Sequence, residues 1–481
     1  MRLINPRNIS RILSTILLIE SGSFLVCLPV AFIYREPVDS FLLSAAVCGF
    51  ISLSLRIMSR NADPRLISNR DTFLIVSIAW VLFSVVGSLP YLISGTIPSF
   101  INAFFESTSG FTTTGSSILK DIEILPYSIL FWRSLTHWIG GIGIIVLVIL
   151  ILPSLKVTGY HLFSLESSLK EKIHPRSKGI VYRIMIIYVG LTVFQVIFLL
   201  IGKMNFIDSI CHSFATVSTG GFSTKNSSLG GFSPYIQYVT TLFMILGATS
   251  YVVFYYALTR NWKRVYRNEE FRVYLIAIAT IVAFVTAILF FKTDRGLELS
   301  FRDAFFQVAS QMTCTGFATT DYMAFPSVAV FIMFLVMFSG GSTGSTSGGI
   351  KIARHIISFK NLRGTFIKIQ HPNAVISLKL NSNIVPEGVV NQVTAFITLY
   401  LLMFIAGSLS MQLSGIRVIE SLGASASCLA NIGPGLGASG NAGNFAHFNG
   451  YAKVIMMLLM ILGRLELFTF ITIFTRSFRR N

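Results

Sequence analysis

One segment of this chain occurs four times in diverged form, and this repetition constrains the fold more than any other feature. Each copy opens with an aromatic residue or Val, has an acid or amide two residues later, and closes at a glycine 12 or 13 residues beyond that. The copies read FINAFFESTSGFTTTGS (100–116), FIDSICHSFATVSTGGFST (206–224), FRDAFFQVASQMTCTGFAT (301–319) and VIESLGASASCLANIGPGLG (418–437). The acids and amide are Asn102, Asp208, Asp303 and Glu420, and the closing glycines are Gly115, Gly220, Gly316 and Gly433. Successive closing glycines are 105, 96 and 117 residues apart, which is too long for a solenoid but suits a module with several membrane segments.

The composition of each copy predicts a short helix followed by an irregular strand. An acid or amide near the start favours a helix N-cap, and the Thr, Ser and Gly residues at the end do not favour continued helix. The acids Asp208, Asp303 and Glu420 could instead form a ring that concentrates cations at the mouth, but their common register favours capping. A helix of about ten residues is too short to cross a bilayer, which needs roughly 20 apolar residues. Irregular backbone at membrane depth is tolerated where protein buries it or where it lines water. Four such loops around one axis, with helix C-termini and carbonyl oxygens directed at it, would form a selectivity filter for a cation.

The overall composition places the chain in a membrane. Hydrophobic residues make up 53%, charged residues only 12%, and the mean hydropathy is +0.71. The net charge of +18 could suggest a nucleic-acid partner, but the basic residues lie at the ends of apolar segments. The five cysteines lie in apolar stretches without a CxxC pair, which predicts reduced core residues: Cys27, Cys48, Cys211, Cys314 and Cys428.

Hydropathy predicts ten membrane spans and four re-entrant helices. The predicted fold is an all-α integral membrane protein, with an N-terminal helix pair and four helix–pore-loop–helix repeats around one pore. The predicted spans are 12–34 and 39–57, then 73–95 with 127–152, 180–202 with 234–259, 271–292 with 326–350, and 388–412 with 450–475. The predicted domains are 1–70 for the helix pair and 71–160, 161–268, 269–380 and 381–481 for the repeats. Most of the 38 basic residues then fall on one side, which predicts cytoplasmic termini and filter loops on the outer face.

The third repeat departs from the others where its last span should continue. The stretch FSGGSTGSTSGGIK (338–351) contains the glycines Gly340, Gly341, Gly344, Gly348 and Gly349, and such a run breaks a membrane helix. One interpretation is a flexible helix end at the cytoplasmic surface. The favoured interpretation is a mobile plug below the filter, because the segment precedes the first basic residue of the following loop.

Arg464 is a charged residue within the last predicted span. A charge at membrane depth is costly unless it faces water or a partner, and Glu466, two residues on, does not share its helical face. Arg464 could snorkel from a helix that ends early. The favoured interpretation is a pore-facing barrier to cations. Glu106 is also unusual, since it lies deep in its short helix and the other repeats have no acid there.

The strings TTTGS, TVSTGGFST, CTGFATTDY and ANIGPGLG, together with the fourfold plan, resemble the superfamily of K+ transporters that includes Trk, Ktr and plant HKT proteins. The N-terminal helix pair and the loop LESSLKEKIHPRSKGI (165–180) resemble TrkH-type subunits of bacterial Trk systems in particular. The resemblance implies a K+ channel-like fold, K+ and Rb+ uptake, a homodimer, and a cytosolic nucleotide-binding regulator of the TrkA type. It also implies that one glycine in each loop is critical for K+ selectivity, and that 340–349 and Arg464 form the gate. Cys314 stands where the family pattern leads us to expect Thr or Ser.

The resulting prediction is K+ permeation across the bacterial inner membrane, with no catalytic residue and no cofactor other than the transported ion. Backbone carbonyls would replace part of the hydration shell of K+ at Thr114, Gly115, Thr219, Gly220, Thr315, Gly316, Ile432 and Gly433. An enzyme of the cell envelope is disfavoured by the absence of GxSxG, HExxH and clustered catalytic carboxylates. The alternative is an H+- or Na+-coupled K+ secondary transporter, whose folds usually have two related halves and not four units.

Overall fold

The computed structural model describes residues 5–60, 62, 68–146, 177–475 and 478. The chain begins with a helical hairpin whose first arm is broken at Pro29, and three helices form it: α1 (Pro6–Val26), α2 (Leu28–Tyr34) and α3 (Asp39–Met58). Asn5 caps α1 through its side chain, and Pro6 occupies the first helical position, where its missing N–H is not needed. This confirms the predicted N-terminal helix pair.

Four units follow, each with a long first helix, a short re-entrant helix and an outer helix. Repeat 1 contains α4 (Asn69–Val86), α5 (Leu89–Ile93), α6 (Phe100–Phe111) and α7 (Tyr127–Val146). Repeat 2 contains α8 (Ser177–Ile201), α9 (Phe206–Val217), α10 (Pro234–Gly247), α11 (Tyr251–Leu258) and the connecting α12 (Trp262–Arg267). Repeat 3 contains α13 (Glu269–Lys292), α14 (Leu297–Met312), α15 (Ser327–Val336), α16 (Ile352–Gln370) and a hairpin of β1 (Lys379–Leu380) and β2 (Asn383–Ile384). Repeat 4 contains α17 (Glu387–Leu413), α18 (Val418–Ala430), α19 (Gly450–Arg464) and α20 (Phe468–Ile471).

Six helices of the described residues are long and apolar enough to cross a membrane, and they correspond to the predicted spans 12–34, 39–57, 73–95, 180–202, 271–292 and 388–412. The spans predicted over 234–259 and 450–475 are each broken by a bend, whereas the break that the glycine run predicts within 326–350 is confirmed. The chain bends by 98° between α10 and α11 and by 107° after α19, and α15 ends at Val336. Of the predicted span 127–152 the structure describes helix to Val146, and most of the loop 165–180 lies outside the described residues.

The re-entrant helices α6, α9, α14 and α18 are 12, 12, 16 and 13 residues long; all are short, as predicted, but α14 begins at Leu297, before the repeated segment. Their N-caps, however, are Ser99, Asn205, Gly296 and Arg417, so the prediction that the acids cap the helices is wrong. Asp208 instead receives a hydrogen bond from Thr224, Asp303 pairs with Arg295, and Glu420 lies 3.6 Å from His447. These contacts attach the starts of α9, α14 and α18 to their own repeats, whereas Asn102 of α6 accepts a hydrogen bond from Lys453 of repeat 4 at 2.8 Å.

The interior is apolar between most helices and polar around the C-terminal ends of the four re-entrant helices. All five cysteines are buried and unpaired, as predicted. Many apolar side chains on the first helices of the repeats are exposed, for example Phe194 (61%) and Phe284 (60%), as expected where lipid and not water surrounds the protein. The Thr and Ser residues at the C-terminal ends of the re-entrant helices are almost fully buried, so the polar centre of the molecule lies where these four helices meet.

Candidate functional site

The four re-entrant helices end in the same backbone motif. In each, a residue just after the helix has a positive φ of about 50–56°, and these residues are Thr113, Thr219, Cys314 and Asn431. It is the second residue after α6, α9 and α14 and the first residue after α18. The next residue donates its N–H to the carbonyl five residues earlier, at 2.7–3.0 Å, and these donors are Thr114, Gly220, Thr315 and Ile432. This is a Schellman ending, which glycine normally occupies. A β-branched Thr at positive φ is strained, so the surrounding contacts must hold the loops at Thr113 and Thr219 in place.

A glycine with positive φ follows each motif, and the four glycines close a ring: Gly115, Gly221, Gly316 and Gly433. Each glycine lies against a carbonyl oxygen of the next repeat, namely that of the residue just before the ring glycine there. The pairs are Gly115 with Gly220, Gly221 with Thr315, Gly316 with Ile432, and Gly433 with Thr114. A Cβ atom on any of the four glycines would lie within 2.9 Å of that oxygen. The ring therefore has no room for a side chain at these positions.

The seam between repeats 4 and 1 carries additional hydrogen bonds. The Ser116 hydroxyl donates to the Gly433 carbonyl at 2.9 Å, and the Asn431 amide donates to the Thr114 hydroxyl at 2.9 Å. Side chains of one repeat thus bind the loop of another. The loops form one structural unit although they are more than 90 residues apart in sequence.

Repeat 2 departs from the sequence-based assignment by one residue. The structure aligns Gly221, not Gly220, with Gly115, Gly316 and Gly433. Gly220 instead occupies the position of Thr114, Thr315 and Ile432, and Thr219 occupies the position of Thr113. The spacing contained the signal: 13 residues separate the acid or amide from the ring glycine in the other copies, and counting 13 from Asp208 reaches Gly221.

His137 of α7 explains why Gly220 has no side chain. A Cβ atom there would overlap the imidazole ring, whose carbons and nitrogen lie within 2.7 Å of the position. The ring stacks on Phe222 with a centroid separation of 4.1 Å. His137 therefore fills the space that a side chain occupies at the equivalent positions, a role that the sequence did not indicate.

A buried ion pair supports the ring from outside. Arg133 and Glu106 are 1% and 0% exposed and are joined by a salt bridge of 2.8 Å. The carboxylate also accepts from the Ser117 hydroxyl and the Ile118 N–H, while Arg133 donates to the Ser223 carbonyl at 3.2 Å. Glu106 thus orders the residues after the ring glycine of repeat 1, and Arg133 connects them to the loop of repeat 2. The sequence marked Glu106 as unusual without identifying its partner.

Residues 340–349, which we call the intramembrane loop, lie against the inner ends of the re-entrant helices. The Thr346 hydroxyl lies 3.0 Å from the Val217 carbonyl at the end of α9 and 3.1 Å from the Gly247 carbonyl. Gly348 packs against the Ala430 carbonyl at the end of α18, where a Cβ atom would not fit. The loop therefore lies in the interior of the molecule, next to the C-terminal ends of α9 and α18.

Arg464 joins this loop to two other repeats. Its side chain is 2% exposed and donates to the Thr346 carbonyl at 2.8 Å and to the Gly140 carbonyl of α7 at 3.1 Å. Glu466 does not pair with it, as predicted, and instead binds Arg354 of α16 at 2.6 Å. Arg464 does not snorkel from the protein but lies in its interior.

Two cavities lie in this region, one against the ring, which we call the outer cavity, and one against the intramembrane loop, which we call the inner cavity. The outer one has a volume of about 90 Å³ and is lined by all four ring glycines, with Phe222, Pro434 and Asn441. The inner one has a volume of about 20 Å³ and is lined by the intramembrane loop, Tyr400 and Arg464. A single water needs roughly 10–15 Å³ by this measure, so the outer cavity admits several waters and the inner one at most one or two.

Comparison with known proteins agrees with this architecture. A family model with the description "TrkH: Cation transport protein" matches residues 41–479. The chain belongs to the TrkH family. It is 35% identical over 482 residues to the Trk system potassium uptake protein TrkH of Escherichia coli K12, covering 99% of both chains, and 32% identical, with the same coverage, to TrkH of Halomonas elongata. The crystal structure of the potassium transporter TrkH from Vibrio parahaemolyticus has a TM-score of 0.91, 32% sequence identity, and coverage of 98% of this chain and 99% of that one.

Family membership confirms the predicted TrkH-type resemblance and the all-α fold of four pore-loop repeats. A TrkH-family chain with this many apolar helices is a multi-pass membrane protein. Within the described residues, no group of three His, Cys, Asp or Glu side chains could hold a metal ion. Any ion at the ring would meet backbone and hydroxyl oxygens, which suit a large monovalent cation better than a transition metal.

Proposed function

We propose that this TrkH-family chain carries K+, and also Rb+, through the glycine ring across the bacterial inner membrane. The observation that supports this best is the fourfold ring, in which equivalent backbone oxygens from four repeats meet at a position without side chains. Relatives at 35% identity are named potassium uptake proteins. Carbonyl oxygens at the predicted positions Thr114, Gly115, Thr219, Gly220, Thr315, Gly316, Ile432 and Gly433, with Gly221 added, would replace part of the hydration shell of the ion.

The intramembrane loop and Arg464 form the gate in this proposal. The inner cavity is too small for a hydrated cation, and the loop and Arg464 line it. The guanidinium adds a positive charge in the path, which opposes cation entry. The loop glycines Gly340, Gly341, Gly348 and Gly349 provide the close backbone contacts that seat the loop. Gly344 has a φ of +77°, and its carbonyl accepts from the Tyr251 N–H.

Removal of the Arg464 side chain is expected to increase ion leak. Arg464→Ala loses the two hydrogen bonds that join Thr346 to Gly140, together with the repulsive charge. We expect unstimulated 86Rb+ uptake to rise about tenfold, the effect of about 1.4 kcal/mol. Arg260→Ala, at an exposed position after α11, serves as the control and should leave uptake unchanged. An Arg464→Ala protein with wild-type thermal stability and no increase in uptake would show that this side chain is not part of the gate.

The decisive experiment on the proposed function is 86Rb+ uptake into liposomes that contain only this chain, with K+ trapped inside as the sole driving gradient. We expect uptake that external K+ inhibits more strongly than Na+ does. The same assay with a pH or Na+ gradient tests the alternative of H+- or Na+-coupled transport, since a passive pore requires neither gradient. If the closed loop prevents uptake, a chain with 340–349 shortened should restore it; inactivity of both chains would contradict the proposal.

We further propose that the chain acts as a homodimer with a cytosolic TrkA-type nucleotide-binding subunit, both termini being cytoplasmic. Net charge +18 and the exposed Arg363 and Lys368 on α16 support an acidic or nucleotide-binding partner at the inner face.

A further inference from the structure

Glu270, in the first turn of α13, is a buried carboxylate that plays no part in the contacts of the ring. Its side chain is 1% exposed, and one carboxylate oxygen accepts three hydrogen bonds. The donors are the Thr343 N–H at 2.7 Å, the Thr343 hydroxyl at 3.1 Å and the Ala353 N–H at 3.0 Å. A carboxylate at this depth is costly unless its hydrogen bonds compensate for lost water, so its position needs an explanation.

The three donors lie on both sides of the intramembrane loop. Thr343 belongs to its entering limb, and Ala353 lies in the first turn of α16, just after its leaving limb. The two limbs already meet at their base, where the Gly340 N–H donates to the Ile350 carbonyl at 2.9 Å. Glu270 therefore connects the two limbs through one acceptor. Opening the loop away from α13 would break all three hydrogen bonds.

The residue after Ala353 is held in a similar way by another repeat. Arg354 is 1% exposed, stacks on Phe396 at 3.8 Å and forms a salt bridge of 2.6 Å with Glu466, which follows the Arg464 bend. The first turn of α16 is thus bound by two carboxylates, one from repeat 3 and one from repeat 4. Because α16 continues to exposed residues at its far end, a displacement of α16 would act first on these bonds.

We propose that Glu270 is a positioning residue that holds the intramembrane loop in its closed conformation, a latch released when the first turn of α16 moves. The inference rests on the proposed function, since it assigns a role in the gate of the same pore. Three hydrogen bonds from the two sides of the loop converge on one carboxyl oxygen, and their simultaneous loss on opening makes Glu270 a substantial restraint on a loop of glycines.

The test compares variants of the full chain by 86Rb+ uptake into liposomes with trapped K+. Glu270→Ala removes the acceptor and is expected to raise the unstimulated rate about tenfold or more. Glu270→Gln keeps an oxygen at the same place and should raise it less than about threefold. Glu387→Ala is the matched control, because Glu387 is an exposed acid in the first turn of α17, the corresponding helix of repeat 4, and should not change the rate.

A second readout separates loop release from general damage. Ser345 is 3% exposed, and the thiol introduced by Ser345→Cys should react with a membrane-permeant thiol reagent faster in the Glu270→Ala background, at unchanged thermal stability. A folded Glu270→Ala chain with a wild-type leak rate and wild-type labelling would overturn the latch. If that variant does not fold, Thr343→Val removes the hydroxyl donor alone, and an unchanged leak rate there overturns the latch as well.

The two proposals fail differently. Uptake that external K+ inhibits and whose preference for K+ over Na+ falls in Gly221→Ala, but that Glu270→Ala does not alter, would overturn the latch alone. Uptake that is insensitive both to K+ and to Gly221→Ala would overturn the proposed function, and the latch with it.

Discussion

Gly221→Ala is expected to lower the preference for K+ over Na+ at least about tenfold, because about 1.4 kcal/mol of differential ion binding is enough for that change. Two effects combine at this position. The φ of Gly221 is +81°, which costs an L-residue roughly 1–2 kcal/mol. The new Cβ would also displace the Thr315 carbonyl oxygen of the next repeat, so the spacing of the ring oxygens changes. The measurement is inhibition of 86Rb+ uptake by external K+ and Na+ in liposomes.

Gly220→Ala should also impair transport, but for a different and reversible reason. The backbone at Gly220 is not in the positive-φ region, and Thr114, Thr315 and Ile432 show that this layer accepts side chains. The obstacle is the His137 ring. In a His137→Ala background, Gly220→Ala is therefore expected to transport as His137→Ala does, whereas Gly221→Ala stays defective.

The control for strain alone is Gly95→Ala. Gly95 has a φ of +71° but no atom within 4 Å of a built Cβ, and it lies outside the ring. It should retain wild-type selectivity with a small loss of stability. The opposite rescue pattern would contradict the register of repeat 2. If His137→Ala restored the selectivity of Gly221→Ala but not the transport of Gly220→Ala, then Gly220 would be the ring glycine.

Arg133→Ala is expected to cause the largest loss of stability, roughly 3–5 kcal/mol, because it leaves the buried Glu106 carboxylate without its partner. Arg133 and Glu106 are both nearly inaccessible, and Arg133 also covers Phe222 at 4.1 Å. The measurement is the free energy of unfolding in mixed micelles. Selectivity should fall as well, since Glu106 binds Ser117 and Ile118 just beyond Gly115.

Two further variants test whether the loss comes from an uncompensated charge. The double variant Glu106→Gln with Arg133→Met removes both charges and should be more stable than Arg133→Ala, because replacing a whole buried pair is often nearly neutral. Lys225→Ala breaks an exposed pair with Glu123 at 3.9 Å and should cost less than about 1 kcal/mol. Equal losses in Arg133→Ala and the double variant would mean that packing, and not the unpaired carboxylate, dominates.

The broken outer helices show where hydropathy stops being informative. A window over 234–259 or 450–475 averages apolar residues and predicts one helix, yet these segments bend by 98° and 107°. Distant groups hold the chain at both bends: the Thr346 hydroxyl donates to the Gly247 carbonyl across 99 residues, and Arg354 donates to the Glu466 carboxylate across 112. A local average cannot register partners at that distance.

The sequence by itself determined the class of the protein, its four re-entrant helices and the residues of three ring positions, because hydropathy and a repeated spacing are local properties of the chain. It also marked Gly340 to Gly349 and Arg464 as exceptions to a membrane helix. The tertiary structure decided between Gly220 and Gly221 as the ring glycine, and it alone decided that Arg133 pairs with Glu106 and that Glu270 binds both limbs of the loop. The physical reason is the same in each case: a buried oxygen or charge must find its partner in space, and here the partner belongs to another helix or another repeat.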